Sequence, residues 1–377
     1  MEDNVSKDYI DRVRGCMLGG AIGDALGYQI EFEIGVLPRQ ITRFKNGKGI
    51  VSDDTQMTLF TANALLWRET RQTLRGIAML PQGAIMLAYF DWLGTQQKVP
   101  EHDNISWISK IPELNIIRDP GRTCLSALEE RFNGDDNYLL LDEPINDSKG
   151  CGAVMRVAPI GLYVRSDKVG EVAAYSAAIT HGHPLAILSA FVMAKIISHI
   201  VSEDIEIDDA VKSAIFDMEK WQPDYYKNNR RHTLNWATEK DELKELINLA
   251  RKLAREKRDD QEAIKQLGEG WVAEEALAIA IYSAVKYKDS FEDAVIAAVN
   301  HDGDSDSTGA IAGNIIGAKL GFQAIPKFYA DNIELKDTIL ELADDIALSV
   351  PMDKDGSISD KKWLAKYLYC DKNFRLD

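Results

Sequence analysis

The chain has 377 residues, 45% of them apolar, and a formal net charge of −16 with a pI of about 4.9. That much apolar sequence can bury a large core, and the charge excludes a protein that grips a nucleic-acid backbone through a basic face. It leaves room for a phosphate ligand held by backbone N–H groups and a few cations.

The sequence begins M-E-D-N-V-S-K-D-Y-I-D-R, too polar for a signal peptide, and no stretch is expected to be long and charge-free enough to cross a bilayer. Cys16, Cys124, Cys151 and Cys370 are scattered without C-x-x-C spacing, against a zinc site or a disulfide framework. The expected protein is soluble and cytoplasmic. Helical spacing runs through 10–29, 55–70, 82–93, 170–178, 184–201, 207–220, 240–266, 272–286, 291–299, 308–321 and 336–349. The connections at 100–120, 133–150, 221–235 and 350–360 are polar or carry Pro and Gly. Alternating β-branched runs are nearly absent, so the predicted class is all-α. One domain over 1–377 is expected, with a helical insert around 221–270.

Gly15, Gly19, Gly23 and Gly27 recur every four residues, as do Gly309, Gly313, Gly317 and Gly321. Each glycine inside a helix costs about 1 kcal/mol against alanine, so close backbone packing must offset them. Asp24 and Lys319 interrupt the two runs and exclude the membrane form of the motif. Both helices are therefore predicted to be central, packed on each other, and to join the two ends of the chain. The charged stretch 239–260 repeats Leu and Ile at helical spacing and reads as an exposed helix with one buried stripe.

Two acidic clusters stand out. In V-S-D-D-T at 51–55, Ser52 is placed to cap a helix whose first turn holds Asp53 and Asp54, where the helix dipole favours negative charge. In N-H-D-G-D-S-D-S-T-G at 300–309, Asp302, Asp304 and Asp306 have a D-x-D-x-D look, but an EF-hand would need Gly at Ser307 and Glu at Gly313. Capping needs one aspartate, and unpaired carboxylates this close repel and raise each other's pKa. Ser52, Asp53, Asp54, Thr55, Asp304, Asp306 and Ser307 together form an all-oxygen set suited to hard cations, magnesium first, manganese or calcium next. Two such ions could clamp substrate oxygens and activate a water.

Six stretches resemble the ADP-ribosylglycohydrolase family, which includes the bacterial dinitrogenase-reductase-activating glycohydrolases and the animal ADP-ribosylhydrolases. They are G-C-M-L-G-G-A-I-G-D-A-L-G at 15–27, S-D-D-T at 52–55, G-C-G-A-V-M-R-V-A-P-I-G at 150–161, I-T-H-G-H-P at 179–184, L-G-E-G-W-V-A-E-E-A-L at 267–277 and N-H-D-G-D-S-D-S-T-G-A-I-A-G at 300–313. The resemblance implies a compact orthogonal multi-helix fold with two magnesium or manganese ions in a central dinuclear cleft. Ser52, Asp53 and Asp54 match the N-terminal ligands and Asp304, Asp306 and Ser307 the C-terminal ones. The family often has Thr at the positions of Ser52 and Ser307, and Gly at that of Asp302, which receives no ligand role. The implied activity is hydrolysis of the glycosidic bond between ADP-ribose and a protein side chain or other acceptor, reversing mono-ADP-ribosylation.

Such a reaction needs a carboxyl group to protonate the leaving group or take a proton from water. Glu31 matches the mobile-loop glutamate of some family branches, with the loop-like stretch 33–49 behind it; Asp119, in R-D-P-G-R-T-C, resembles a substrate-side stretch of the bacterial branch and is the rival. For the diphosphate, Ser148, Gly150, Cys151 and Gly152 offer flexible backbone with free N–H groups, and His181 matches a phosphate-contacting histidine. Met155 and Arg156 read as structural, the arginine expected to pair with a carboxylate, and His183-Pro184 as the start of a helix. Tyr89, Trp107 and Tyr138 are the aromatic candidates for stacking on adenine. The partner is an ADP-ribosylated protein or ADP-ribose conjugate. A second reading makes the chain an immunity or inhibitor protein that neutralises a cognate ADP-ribosyltransferase by binding, through the 221–270 insert. A third, a dinuclear hydrolase of another glycoside or phosphate compound, would not need the 148–156 cradle.

Overall fold

The computed structural model describes residues 6–32, 40–76, 78–99, 102–134, 141, 143–164, 167–223 and 236–370. Sixteen α-helices fill them: α1 (Lys7–Tyr28), α2 (Asp53–Arg75), α3 (Pro81–Gln96), α4 (Arg122–Asn133), α5 (Ala158–Tyr163), α6 (Val169–Ala178), α7 (Pro184–Glu203), α8 (Ile207–Lys220), α9 (Trp236–Leu253), α10 (Asp260–Ile264), α11 (Ala273–Lys286), α12 (Phe291–Val299), α13 (Ser305–Leu320), α14 (Lys327–Asn332), α15 (Lys336–Leu348) and α16 (Lys361–Tyr367). Among the described residues β structure is limited to two isolated bridges, Gly49–Ile333 and Gly150–Val272. The all-α class follows the periodicity.

The central pair is α1 on α13, and the two glycine stripes are its seam. A Cβ on Gly19 would lie 2.5 Å from the carbonyl oxygen of Gly313; on Gly15, Gly23 and Gly27 it would strike the backbone of Gly317, Gly309 and Ser305. The pairing descends along α13 as it ascends along α1, so the helices are antiparallel. The C-terminal turn of α1 therefore lies beside the first turn of α13. Asn314 locks the pair by donating to the Cys16 carbonyl at 2.8 Å. Dense backbone contact replaces the side-chain packing that glycine lacks.

The remaining helices surround this pair and bury their apolar faces in one continuous core. In α9 the buried stripe is Trp236, Lys240, Leu243, Ile247, Ala250 and Leu253, as the spacing implied. Two sequence expectations fail. The helix predicted over 240–266 is two helices, because Asp259 caps α10 by accepting from the N–H groups of Gln261 and Glu262. The bilayer expectation fails for α7, which is apolar and long enough to cross a membrane by length and composition; 83% of its apolar window is buried inside the fold. Helices α5, α14 and α16 run six or seven residues, too short for a 3.6-residue period to declare itself.

Candidate active site

Helix α2 opens on Ser52, whose hydroxyl accepts from the Asp54 N–H at 3.3 Å. Asp53, Asp54 and Thr55 fill its first turn and are buried. Helix α13 opens on Asp304, which accepts from the Ser307 N–H at 3.2 Å, while Asp306 accepts from the same N–H at 2.9 Å. The antiparallel α1–α13 seam, with α2 beside it, turns the two helix mouths toward each other. The Ser52 hydroxyl donates to Asp54 Oδ2 at 3.5 Å, and Asp306 lies close enough to act electrostatically on Asp53 and Asp54 and to be acted on by Ser52.

The electrostatics are severe. Burial first, and then the charge of Asp306, holds Asp53, Asp54 and Asp304 well above the usual carboxylate range. Asp306 is also raised by burial, partly offset by hydrogen bonds from Asp304, Ser307 and Ser52. Among the described residues no Lys or Arg makes an ion pair with these four carboxylates, and Asp54 Oδ1 is buried with no hydrogen-bond partner. As they stand, no three Asp, Glu, His or Cys side chains among the described residues converge on one point. The chemistry of the donors is carboxylate and hydroxyl oxygen throughout.

Asp24 was noted in the sequence only as a charge in an apolar run. It is fully buried on α1 and accepts from the N–H of Ser52 at 2.9 Å, the N–H of Thr55 at 3.1 Å and the Thr55 hydroxyl. Burial and Asp306 push it up to about 7. Glu334, also unforeseen, accepts from the Val51 N–H at 2.8 Å and faces Arg118 at 3.5 Å. The spacing could not reveal either, since both act across folds of the chain.

Glu31 and Asp119 both reach this cluster. Glu31, half-buried just past α1, is pushed up to about 10 by burial and then by Asp306, Asp304, Asp53 and Asp119. Asp119 takes a left-handed φ of 50° and accepts from the Tyr28 hydroxyl at 2.6 Å. That turn brings the Gly121 N–H to Asp53 Oδ2 at 3.1 Å. Residues 33–39, part of the expected covering loop, lie outside the described residues. Beyond them, Asn300 fixes Ile41 by bonds of 2.6 and 2.9 Å to its N–H and carbonyl. Asp302 is exposed.

The 148–152 loop runs beside the cluster, with the Cys151 thiol against Asp304 and Ser307. Its backbone is less free than the sequence suggested. Ser148 N–H donates to Asn146, Gly150 N–H to the Ser148 hydroxyl, and Cys151 N–H to the Trp271 carbonyl at 3.2 Å. His181 is buried against the loop: a Cβ on Gly150 would lie 3.1 Å from its Nε2, and one on Gly152 3.1 Å from its Cε1. The two glycines are what let the imidazole edge reach the loop. Burial, then the charge of Arg156, pushes His181 down to about 3, so the ring is neutral.

Arg156 corrects an expectation. It is fully buried and pairs with no carboxylate among the described residues; it donates to the Ser176 carbonyl at 3.2 Å and the Thr180 hydroxyl at 2.7 Å, and lies 4.5 Å from the Tyr89 ring centre. Tyr89 is thereby removed as an adenine platform, being fully buried and hydrogen-bonded to Thr61 at 2.7 Å. Trp107 packs by Lys366 of α16, and Tyr138 lies outside the described residues. The aromatic at the loop is Trp271, 38% exposed, which with Lys265, Glu269, Glu275 and Asp302 lines a cavity of about 1010 Å³. An aromatic following G-E-G was the available signal. His183 caps α7 through its ring, with Pro184 in the first turn, as expected. A separate cavity of about 580 Å³, lined by Arg68, Tyr163 and Tyr175, shares none of these residues.

A family model described as ADP-ribosylglycohydrolase matches residues 5–356. The chain is 24% identical to the ADP-ribosyl-[dinitrogen reductase] glycohydrolase of Rhodospirillum rubrum, over 86% of this chain and 91% of that one. It is 23% identical to the ADP-ribosylarginine hydrolase Tri1 of Serratia proteamaculans, over 91% of this chain and 80% of that one. Among solved structures, one described as an ADP-ribosylglycohydrolase-related protein complex superposes with a TM-score of 0.61 at 22% identity, covering 91% of this chain and 98% of that one.

Proposed function

The chain belongs to the ADP-ribosylglycohydrolase family, and from that premise we propose that it is a metal-dependent hydrolase that releases ADP-ribose from a modified protein side chain, arginine foremost. The observation that carries the proposal is the face-to-face arrangement of the α2 and α13 mouths, with four buried aspartates, an orphaned Asp54 oxygen and Glu31 acting on one another electrostatically. Arginine is preferred because the exposed Asp119 and the half-buried Glu31 offer carboxylates to a guanidinium, and because one relative carries arginine in its name.

Two divalent cations held by Ser52, Asp53 and Asp54 and by Asp304, Asp306 and Ser307 would supply Lewis-acid charge for the ribose hydroxyls and the attacking water. The protein's own groups do the rest. Glu31, as the protonated acid, delivers its proton to the departing acceptor nitrogen as the anomeric bond breaks. The resulting carboxylate then takes a proton from the water whose oxygen bonds to the anomeric carbon. Asp119, tied to Tyr28, orients the acceptor side. Ser148, Gly152 and His181 receive the diphosphate, and the exposed face of Trp271 is a platform for the adenine.

The test is release of free ADP-ribose from arginine- and serine-ADP-ribosylated protein, each with magnesium and with chelator. Metal-dependent release from the arginine conjugate is expected. Release from serine alone would replace the acceptor, and release that persists in chelator would overturn the metal-dependent reading.

A further inference from the structure

We propose that Arg156 and Thr180 are positioning residues that hold His181 in its Nε2–H tautomer, so that the imidazole presents a hydrogen-bond donor to the 148–152 loop. This rests on the reading of that loop as the diphosphate site.

Arg156 Nη2 lies 2.7 Å from Thr180 Oγ1, and a guanidinium can only donate. That hydroxyl also lies 2.8 Å from His181 Nδ1. With one lone pair taken by Arg156, the hydroxyl has a single proton to give. Its possible acceptors are His181 Nδ1 and the Cys124 sulfur, which Arg156 also contacts at 3.5 Å. A thiol is a weak acceptor and a neutral imidazole nitrogen a strong one, so the proton goes to Nδ1. The opposite arrangement, with Nδ1–H donating to the hydroxyl's second lone pair, would leave the hydroxyl proton only the weak Cys124 sulfur as acceptor.

Nδ1 therefore carries no proton, and the ring's proton sits on Nε2. Nε2 is the atom that lies against Gly150, at the mouth of the loop. A neutral donor there costs less to bury than an imidazolium, and it hydrogen-bonds an anionic oxygen without a proton-transfer equilibrium of its own. It also accounts for a buried arginine that has no carboxylate partner: its charge polarises the Thr180–His181 chain instead of neutralising an acid. The chain is short and fully buried and runs from Arg156, just before α5, through Thr180 past the end of α6 to the loop.

The experiment is long-range proton–nitrogen NMR correlation on nitrogen-15-histidine-labelled full-length protein, with His181→Gln to assign the ring among the six histidines. It is paired with titration of ADP-ribose in magnesium. The wild type should give the Nε2–H pattern for His181 at neutral pH. Thr180→Val, which keeps the shape and removes the hydroxyl, should shift the ring toward a tautomer mixture and weaken ADP-ribose binding about tenfold, the scale of one hydrogen bond to a charged group. Thr180→Ser should restore both. An Nδ1–H ring in the wild type, or a Thr180→Val ring unchanged in tautomer, overturns the proposal. So does a tautomer shift with unaltered affinity. If the wild type binds no ADP-ribose, the diphosphate reading of the loop fails, while the tautomer measurement still decides the role of Arg156 and Thr180. Should Thr180→Val not fold, Thr180→Ser and the wild-type spectrum carry the same test.

Discussion

The carboxylate of Asp24 accepts the backbone N–H of Ser52 at 2.9 Å, binding the C-terminal end of the glycine-rich α1 to the mouth of α2. It accepts the Thr55 N–H and hydroxyl as well, so a single buried acid gathers the first turn of α2. Asp24→Ala leaves those two N–H groups without their acceptor. Loss of about 2–4 kcal/mol of stability is expected, together with a weaker apparent affinity for magnesium. Denaturant unfolding and a magnesium titration measure the two effects. An unchanged magnesium midpoint would detach Asp24 from the metal ligands.

Asp54→Ala and Asp304→Ala each remove a carboxylate from the facing mouths without removing core volume. Turnover should fall by at least about a thousandfold, given what electrostatic groups at a reacting centre contribute, with the far-ultraviolet circular dichroism of the wild type. Full activity in either variant would defeat the two-metal reading.

Glu31→Gln keeps the size of the side chain and removes its proton chemistry. The rate should drop by about two to four orders of magnitude with magnesium binding retained, as read by calorimetry. An unchanged rate would transfer the acid and base roles to Asp119 or to water.

The pH dependence has a definite sign. Asp24, Asp53, Asp54, Asp304 and Glu31 all sit above their ordinary values in the folded protein, so without a cation the native state binds more protons than the unfolded chain. Their contribution is whole below the unfolded carboxylate range and is lost as pH rises through the folded values, about 7 for Asp24 and about 10 for Glu31. The melting temperature in chelator should therefore fall from about pH 5 to pH 9. Saturating magnesium should flatten or reverse the trend, because it binds the ionised form and releases protons. A rising melting temperature in chelator would contradict these raised values.

Gly23→Ala should destabilise the protein far more than any exposed Gly→Ala change, because its methyl would fall on the Gly309 backbone. A loss above about 3 kcal/mol or failure to fold is expected, since backbone cannot move aside like a side-chain tip. Gly83→Ala, in α3 with only Met79 nearby at 3.5 Å, is the control and should be neutral or slightly stabilising. Equal effects would remove the seam as the reason for the stripe.

Much of this was legible in the chain. The ends of α8 and α12 fall where periodicity put them, and Ser52 and His183 cap the helices expected of them. The four-residue glycine spacing pointed to a central helix pair because only backbone contact offsets so many glycines. Asp24 and Trp271 were in view as letters, inside motifs read for other reasons. Arg156 misled, because composition favours a carboxylate partner while its neighbours in space are Tyr89, Cys124, Met57 and Thr180.

The sequence by itself determined what depends on local order: the all-α class, the caps, the glycine stripes, the two all-oxygen clusters and the family. Only the tertiary structure decided which groups share one electrostatic field. Ser52 and Asp306 are 254 positions apart, and Asp24 with Glu31, Asp119 and Cys151 come from three further segments. Their mutual charges act through space at a strength set by burial, and burial exists only once the antiparallel glycine seam has turned two helix mouths toward each other.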